Sequence, residues 1–316
     1  MATAVHQAAV RAFEAQRHFL WGFCYRMTGS AADADALISD AFVRALERPP
    51  ADLAHGWRPW LARIAAAQSI DALRLRQRRA YVGPWLPAPI ETGNAACPAV
   101  PAAQPEAGGV VYDEVESLTV AFLLALEPLP PRQRAVLILR SVFGYSVRDA
   151  AHALDLTFPT VKSTLLRAQQ AMRAYDCART LPTREAQGRM AAVLHKFLDC
   201  LQHYNVSGIE GMLAPDARAL SDSAGEFVAP TVPVDRRDRV VRLLLKLAQK
   251  RGAPTRYAFR MLNALPALVA DVPDAAPAVW APRYVFRIDV NAEGLISELH
   301  TISATRKLAA VSFEPS

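Results

Sequence analysis

Seven residues, LRLRQRR at positions 73–79, hold four arginines. From His55 to Arg79, six arginines (Arg58, Arg63, Arg74, Arg76, Arg78 and Arg79) stand against one acid, Asp71. A guanidinium stays charged at any working pH and matches phosphate oxygens in a fixed fork, so such a row suits a nucleic-acid backbone. The ordinary alternative is a solvated basic helix end that complements its own dipole. Trp57 and Trp60 suit stacking on unpaired bases, or plain helix packing. A second set, Thr160, Lys162, Ser163, Arg167 and Gln170, recurs at the spacing of one helical face and carries donors fit for base edges and phosphates. No Walker loop, G-x-S-x-G, H-E-x-x-H or G-x-G-x-x-G is present, so neither a catalytic residue nor a cofactor is expected. His195, His203 and His300, with Asp199 and Asp222, are the groups a pocket in the last part of the chain would draw on. Isolated histidines on amphipathic segments are more often structural.

The elements that must position these residues are mostly helices. Phe19, Leu20, Phe23, Cys24 and Met27 mark one helical face, which Gly29 ends. Ser30 followed by Asp33 forms a capping box for a second helix, whose apolar stripe is Leu37, Ile38, Ala41, Phe42, Ala45 and Leu46, stopped by Pro49-Pro50. A third helix is expected from about Trp57 to Arg79. Farther on, Ser146 and Asp149 repeat the capping pattern and open a helix through about Leu154. Thr157 caps the next one, with Pro159 tolerated in its first turn. Val161, Leu165, Ala168 and Met172 form the inner face of that helix. Two short helices with a tight turn, the second polar and basic outside, form a helix-turn-helix pattern. Asp155 occupies the turn where glycine is common. A helical hairpin inside an ordinary bundle is the competing reading.

After a helix around Met190–Tyr204 the period changes. Alternation appears in Tyr257, Phe259 and Met261, and again in Tyr284, Phe286, Ile288 and Val290, with Asn291-Ala292-Glu293-Gly294 turning into a partner strand at 295–303. An α+β domain with a curved antiparallel sheet fits this block. Between the helical parts, residues 83–110 hold six prolines and four glycines, a composition that resists regular structure.

The chain has 316 residues, 52% hydrophobic and 21% charged, enough for roughly two to three cores and against overall disorder. Its net charge of +6 permits a polyanionic partner without demanding one. The four cysteines (Cys24, Cys97, Cys177, Cys200) form no C-x-x-C pair, which argues against a zinc site and a disulfide framework. No signal peptide is visible and no stretch of about 18 apolar residues occurs, so a reduced, cytoplasmic protein without a membrane partner is expected.

With these residues in view, a family resemblance emerges. LWGFCYRMTGSAADADALISDAFVRAL resembles the core-docking part of region 2 of extracytoplasmic-function sigma factors, promoter-recognition subunits of bacterial RNA polymerase. GWRPWLARIAAAQSIDALRLRQRR resembles the part that melts and reads the minus-ten element. LEPLPPRQRAVLILRSVFGYSVRDAAHALDLTFPTVKSTLLRAQQAM resembles region 4, which reads the minus-thirty-five element. YVGPWLPAPI (Tyr81–Ile90), LNALPALVA (Leu262–Ala270) and SATRKL (Ser303–Leu308) resemble segments of the subgroup with a C-terminal SnoaL-like domain.

The resemblance implies a multidomain protein: two all-α domains, the second with the helix-turn-helix, and a cone-shaped α+β domain. Its expected boundaries are 1–80 for region 2, 81–112 for the linker, 113–180 for region 4 and 181–316 for the SnoaL-like regulatory domain. Its implied partners are core polymerase, through Asp33, Asp35, Asp40, Phe42 and Arg44, and promoter DNA. The DNA contacts would come from Arg63, Gln68, Arg74, Arg76, Arg78, Arg79, Thr160, Lys162, Ser163 and Arg167. Tyr81, Val82, Trp85 and Leu86 would pack the linker on the third domain, which leaves room for a small-molecule ligand. Three departures stand out. Ala36 and Ser39 replace polar positions of the docking helix, Ser221–Glu226 replaces a glycine-rich acidic loop, and Ser303-Ala304-Thr305 replaces Asn-Pro-Asp. The first departure motivates an alternative, a ligand-responsive DNA-binding regulator without polymerase binding.

Overall fold

The computed structural model describes residues 2–47, 57–78, 81–93, 110–251, 254–272 and 279–311. Their contacts divide the chain into two units, one drawn from residues before Arg79 together with 110–179, the other from 81–93 together with 180 onward.

The first unit is helical. α1 (Ala2–Thr28) ends where Gly29 takes a φ of 63° and its N–H returns to the Tyr25 carbonyl. The Ser30 hydroxyl then accepts from the Asp33 N–H and starts α2 (Ala31–Glu47). α3 (Trp57–Arg78) closes the group, with Leu20, Phe23, Cys24, Met27, Leu37, Ile38, Leu61, Ala65 and Leu73 buried between the three. Burial without charge stabilisation holds the Cys24 thiol up at about 12, so it is packing, not a nucleophile. The second group comprises α4 (Val120–Leu126), α5 (Pro131–Leu137) running into a π-turn at Ile138–Val142, α6 (Val147–Leu154) and α7 (Phe158–Ala178).

A linker of this composition leads one to expect two separated helical modules, and the described residues instead pack both groups into one unit. The reason lies at the C-terminus of α1, whose last carbonyls have no partner within the helix. Arg134 Nη1 donates to the Met27 carbonyl at 2.6 Å and to Glu127 at 2.9 Å. Arg76 donates to the Thr28 carbonyl at 2.7 Å and pairs with the other oxygen of Glu127. Arg26 Nε reaches Ser117 Oγ at 2.8 Å. Beside this polar clasp the Phe19 ring meets Phe143 edge-on at 4.9 Å and stacks near Tyr145 at 5.6 Å.

In the second unit, α8 (Arg184–Gln202), α9 (Val206–Met212) and α10 (Arg237–Arg251) accompany a six-stranded sheet of order β2-β1-β6-β5-β4-β3. Its strands are β1 (Leu213–Asp222), β2 (Val234–Asp235), β3 (Arg256–Leu262), β4 (Leu265–Asp271), β5 (Arg283–Val290) and β6 (Ile296–Ile302). The pairings are antiparallel except β1 with β6, which is parallel. Phe286, Ile288 and Leu299 share a core with Leu194, Phe197, Ile209, Val240 and Leu244 from the helices. The intervening residues Arg287 and Asp289 therefore lie on the other face, opposite His300 and Glu298.

Candidate nucleic-acid interface

α7 presents one polar, basic face to solvent. The Thr157 side chain accepts from the Thr160 N–H, Pro159 sits in the first turn, and Val161, Ala168 and Met172 are buried, with Leu165 half-buried. These anchors leave Thr160, Lys162, Ser163, Arg167 and Gln170 exposed together. Before it, Ser146 caps α6 by accepting from the Asp149 N–H at 3.0 Å. Asp155 makes the turn at a φ of 53°, a left-handed conformation that aspartate tolerates better than most residues. Glycine is thus not required there.

The arginines of α3 do not form one free row. Arg74 and Arg78 are exposed, Arg74 pairing with Asp71 at 3.3 Å. Arg63 stands 3.3 Å from Asp155 in the turn before α7, and Arg76 belongs to the clasp. The Gln68 amide, in the orientation that satisfies both its ends, donates to the Leu37 carbonyl and accepts from Arg44 Nε. One expected DNA residue and one expected polymerase residue therefore touch each other. Arg79 lies outside the described residues. Trp57 and Trp60 are half-buried, as packing residues would be.

On α2, Asp35, Ala36, Ser39, Asp40, Val43 and Arg44 are exposed along one face. Asp35 accepts from Trp21 Nε1 at 2.8 Å, and Ser39 Oγ donates to the Asp35 carbonyl. Asp33 sits half-buried in the first turn. Phe42 leaves the exposed face, its ring 4.5 Å from that of Phe13. Sequence periodicity missed Val43, an exposed apolar residue in the middle of the acidic face.

Residues 81–93 lie on the second unit. Asp222, fully buried at the end of β1, accepts from the Tyr81 hydroxyl at 2.6 Å and from the Leu86 N–H at 2.7 Å. Lys307 Nζ reaches the same carboxylate at 2.5 Å, donates to the Leu86 carbonyl and lies over the rings of Tyr81 and Trp85. Val82 rests against Gly225, whose φ of 78° is strained for any residue with a side chain and where an added Cβ would press on Val82 at 3.2 Å. At its far end the segment bridges to the β3–β4 turn, with Ile90 N–H on Asn263 Oδ1 and Thr92 N–H on the Met261 carbonyl. The two substituted segments meet at this junction too. The Ser303 N–H donates to the Asp222 carbonyl, and the Thr305 N–H to Glu226.

The histidines form no joint pocket. His203 pairs with Asp199 near the surface, and His195 lies against Phe259. His300 is fully buried, accepting at Nδ1 from Arg287 and therefore donating from Nε2 to Glu298 at 3.0 Å. That bond holds the Glu298 carboxyl below its ordinary range. Asp289, Glu298 and His300 have the donor types of a metal site, but Arg287 and Arg218 already neutralise the carboxylates a divalent ion would need.

Comparison with known proteins bears on both helical groups. Residues 12–79 match the family model described as Sigma-70 region 2, and residues 119–172 match Sigma-70, region 4. The ECF RNA polymerase sigma factor SigJ of Mycobacterium tuberculosis is 28% identical over 245 residues, covering 77% of this chain and 74% of SigJ. SigL of the same species is 32% identical over 178 residues, covering 54% of this chain and 91% of SigL. The crystal structure of M. tuberculosis SigJ covers 96% of this chain and 100% of its own, with a TM-score of 0.70 and 24% identity, a likeness of fold that takes in the α+β unit. The chain belongs to the extracytoplasmic-function RNA polymerase sigma factors.

Proposed function

We propose that this chain directs bacterial RNA polymerase core to specific promoters without enzymatic activity of its own, and that its α+β unit modulates that step through residues 81–93. The capped α7, with its exposed Thr160, Lys162, Ser163 and Arg167, carries the reading. Lys162 and Arg167 supply phosphate and base-edge donors, while the two hydroxyl residues suit either. Arg74 and Arg78 reach the backbone of the melted region. Arg63 and Arg76 join them only when freed from Asp155 and Glu127, so full engagement of α3 requires those two pairs to open. The exposed α2 face with Asp35, Asp40, Val43 and Arg44 docks on the core enzyme, Asp33 and Phe42 supporting it from within. Among the described residues no helix is long and apolar enough to cross a membrane.

Tyr81, Val82, Trp85 and Leu86 tie the linker to Asp222 and Lys307, which sets how much chain remains between the two DNA readers. A ligand of the α+β unit would act by loosening or tightening that tie. The test is co-purification with core polymerase at low ionic strength, followed by footprinting. A Lys162→Ala/Arg167→Ala double variant should keep core binding and lose the upstream protection. A chain that binds no core enzyme overturns the reading.

A further inference from the structure

The outward face of α7 carries more than hydroxyls and cations. Phe158, the first residue of the helix, leaves 49% of its surface exposed, and Leu166 two turns on leaves 57%. A ring left half in water forgoes about half of the gain that full burial would give, because the hydrophobic gain comes only from surface removed from water. Yet the ring is held in place. Lys162, four residues on and so on the same face, sets its Nζ 4.6 Å from the ring centroid. The Thr157 cap fixes the first turn, and Pro159 fixes the backbone directly after the ring. In a helix-turn-helix the N-terminal residues of the second helix meet base edges. The one apolar group a base pair offers in the major groove is the thymine C5-methyl, which phenylalanine contacts well.

We infer that Phe158 is a specificity determinant of the upstream promoter element, its free face seated on the C5-methyl of one thymine while Lys162 covers the other face and reaches the neighbouring phosphates. This rests on α7 being the major-groove reader. The experiment uses the full chain with core polymerase on duplexes recovered by in vitro selection with that holoenzyme. Each thymine of the upstream element is replaced in turn by deoxyuridine, which removes the methyl alone. At one position the wild type should lose about fourfold in affinity, the value of one buried methyl-sized group. The same replacement should leave Phe158→Ala indifferent, and Phe158→Leu should keep part of the discrimination. An equal uracil penalty in wild type and Phe158→Ala assigns the methyl to another residue and overturns the inference. It is equally overturned if wild type ignores every replacement while Lys162→Ala and Arg167→Ala lose affinity, an outcome that leaves α7 as the reader. If those two variants bind like wild type, α7 is not the reader and both claims fall.

Discussion

Asp222 and Glu298 behave differently although both are carboxylates on β-strands of one sheet. Asp222 is fully buried against Lys307 and two linker groups, so removing its charge strands a nearly buried ammonium. Asp222→Asn should cost about 3–5 kcal/mol in the unfolding of the second unit, measured by denaturant titration. It should also make residues 81–93 cleavable by protease. Glu298 is held below the usual carboxylate value of 4.5 first by its bond from His300, with burial opposing. A carboxyl depressed in the folded state contributes stability above its unfolded value and loses it as pH falls through the folded one. The second unit should therefore weaken below about pH 4.5, and Glu298→Gln should flatten that limb of the stability profile. Neither role was legible in sequence. Asp222 stood out only as one of several scattered polar residues, and Lys307 lay in a recognised segment with nothing to mark its burial. The partners are more than 80 residues apart in the chain, and no local period encodes such a pair.

At the scale of elements, the caps were the most legible features, because a cap is a contact between residues three apart. Ser30, Ser146 and Thr157 each make the bond their spacing predicts. Thr157→Ala should lower the stability of the first unit by about 1 kcal/mol, read from thermal unfolding. β5 and β6 were also legible from alternation and their turn. β1 and β4 were not. β1 contains Pro215 and Asp216, which read as loop, and β4 is a nearly continuous buried run whose Pro266 argues against a strand. The buried Val240, Val241 and Leu244 of α10 follow the helical period, a signal diluted by the four arginines and two lysines of that helix. The arginine row of α3 was legible as charge but not as partners. If Arg74 and Arg78 each meet a phosphate, Arg74→Ala and Arg78→Ala should each reduce the log–log salt slope of promoter binding by about 0.9.

For the molecule as a whole, the proline-rich stretch marked a boundary in sequence yet concealed two facts. Its first part is bound to the α+β unit at both ends, and the helical groups it joins are clasped together through Glu127, Arg76 and Arg134. Arg134 is 1% exposed, and burial presses its pKa down while Glu127 supports its charge. Glu127→Gln should therefore destabilise the closed unit by about 3–5 kcal/mol, and small-angle scattering should report a more extended chain. The most direct measurement is transcription from linear templates by core polymerase alone, with the chain, and with its Lys162→Ala/Arg167→Ala variant. Discrete start sites are expected when the wild-type chain is present and not with core polymerase alone, with sharply fewer transcripts from the variant and unchanged core binding by both. Transcripts identical with and without the chain, under conditions where it is folded, would contradict a promoter-directing role.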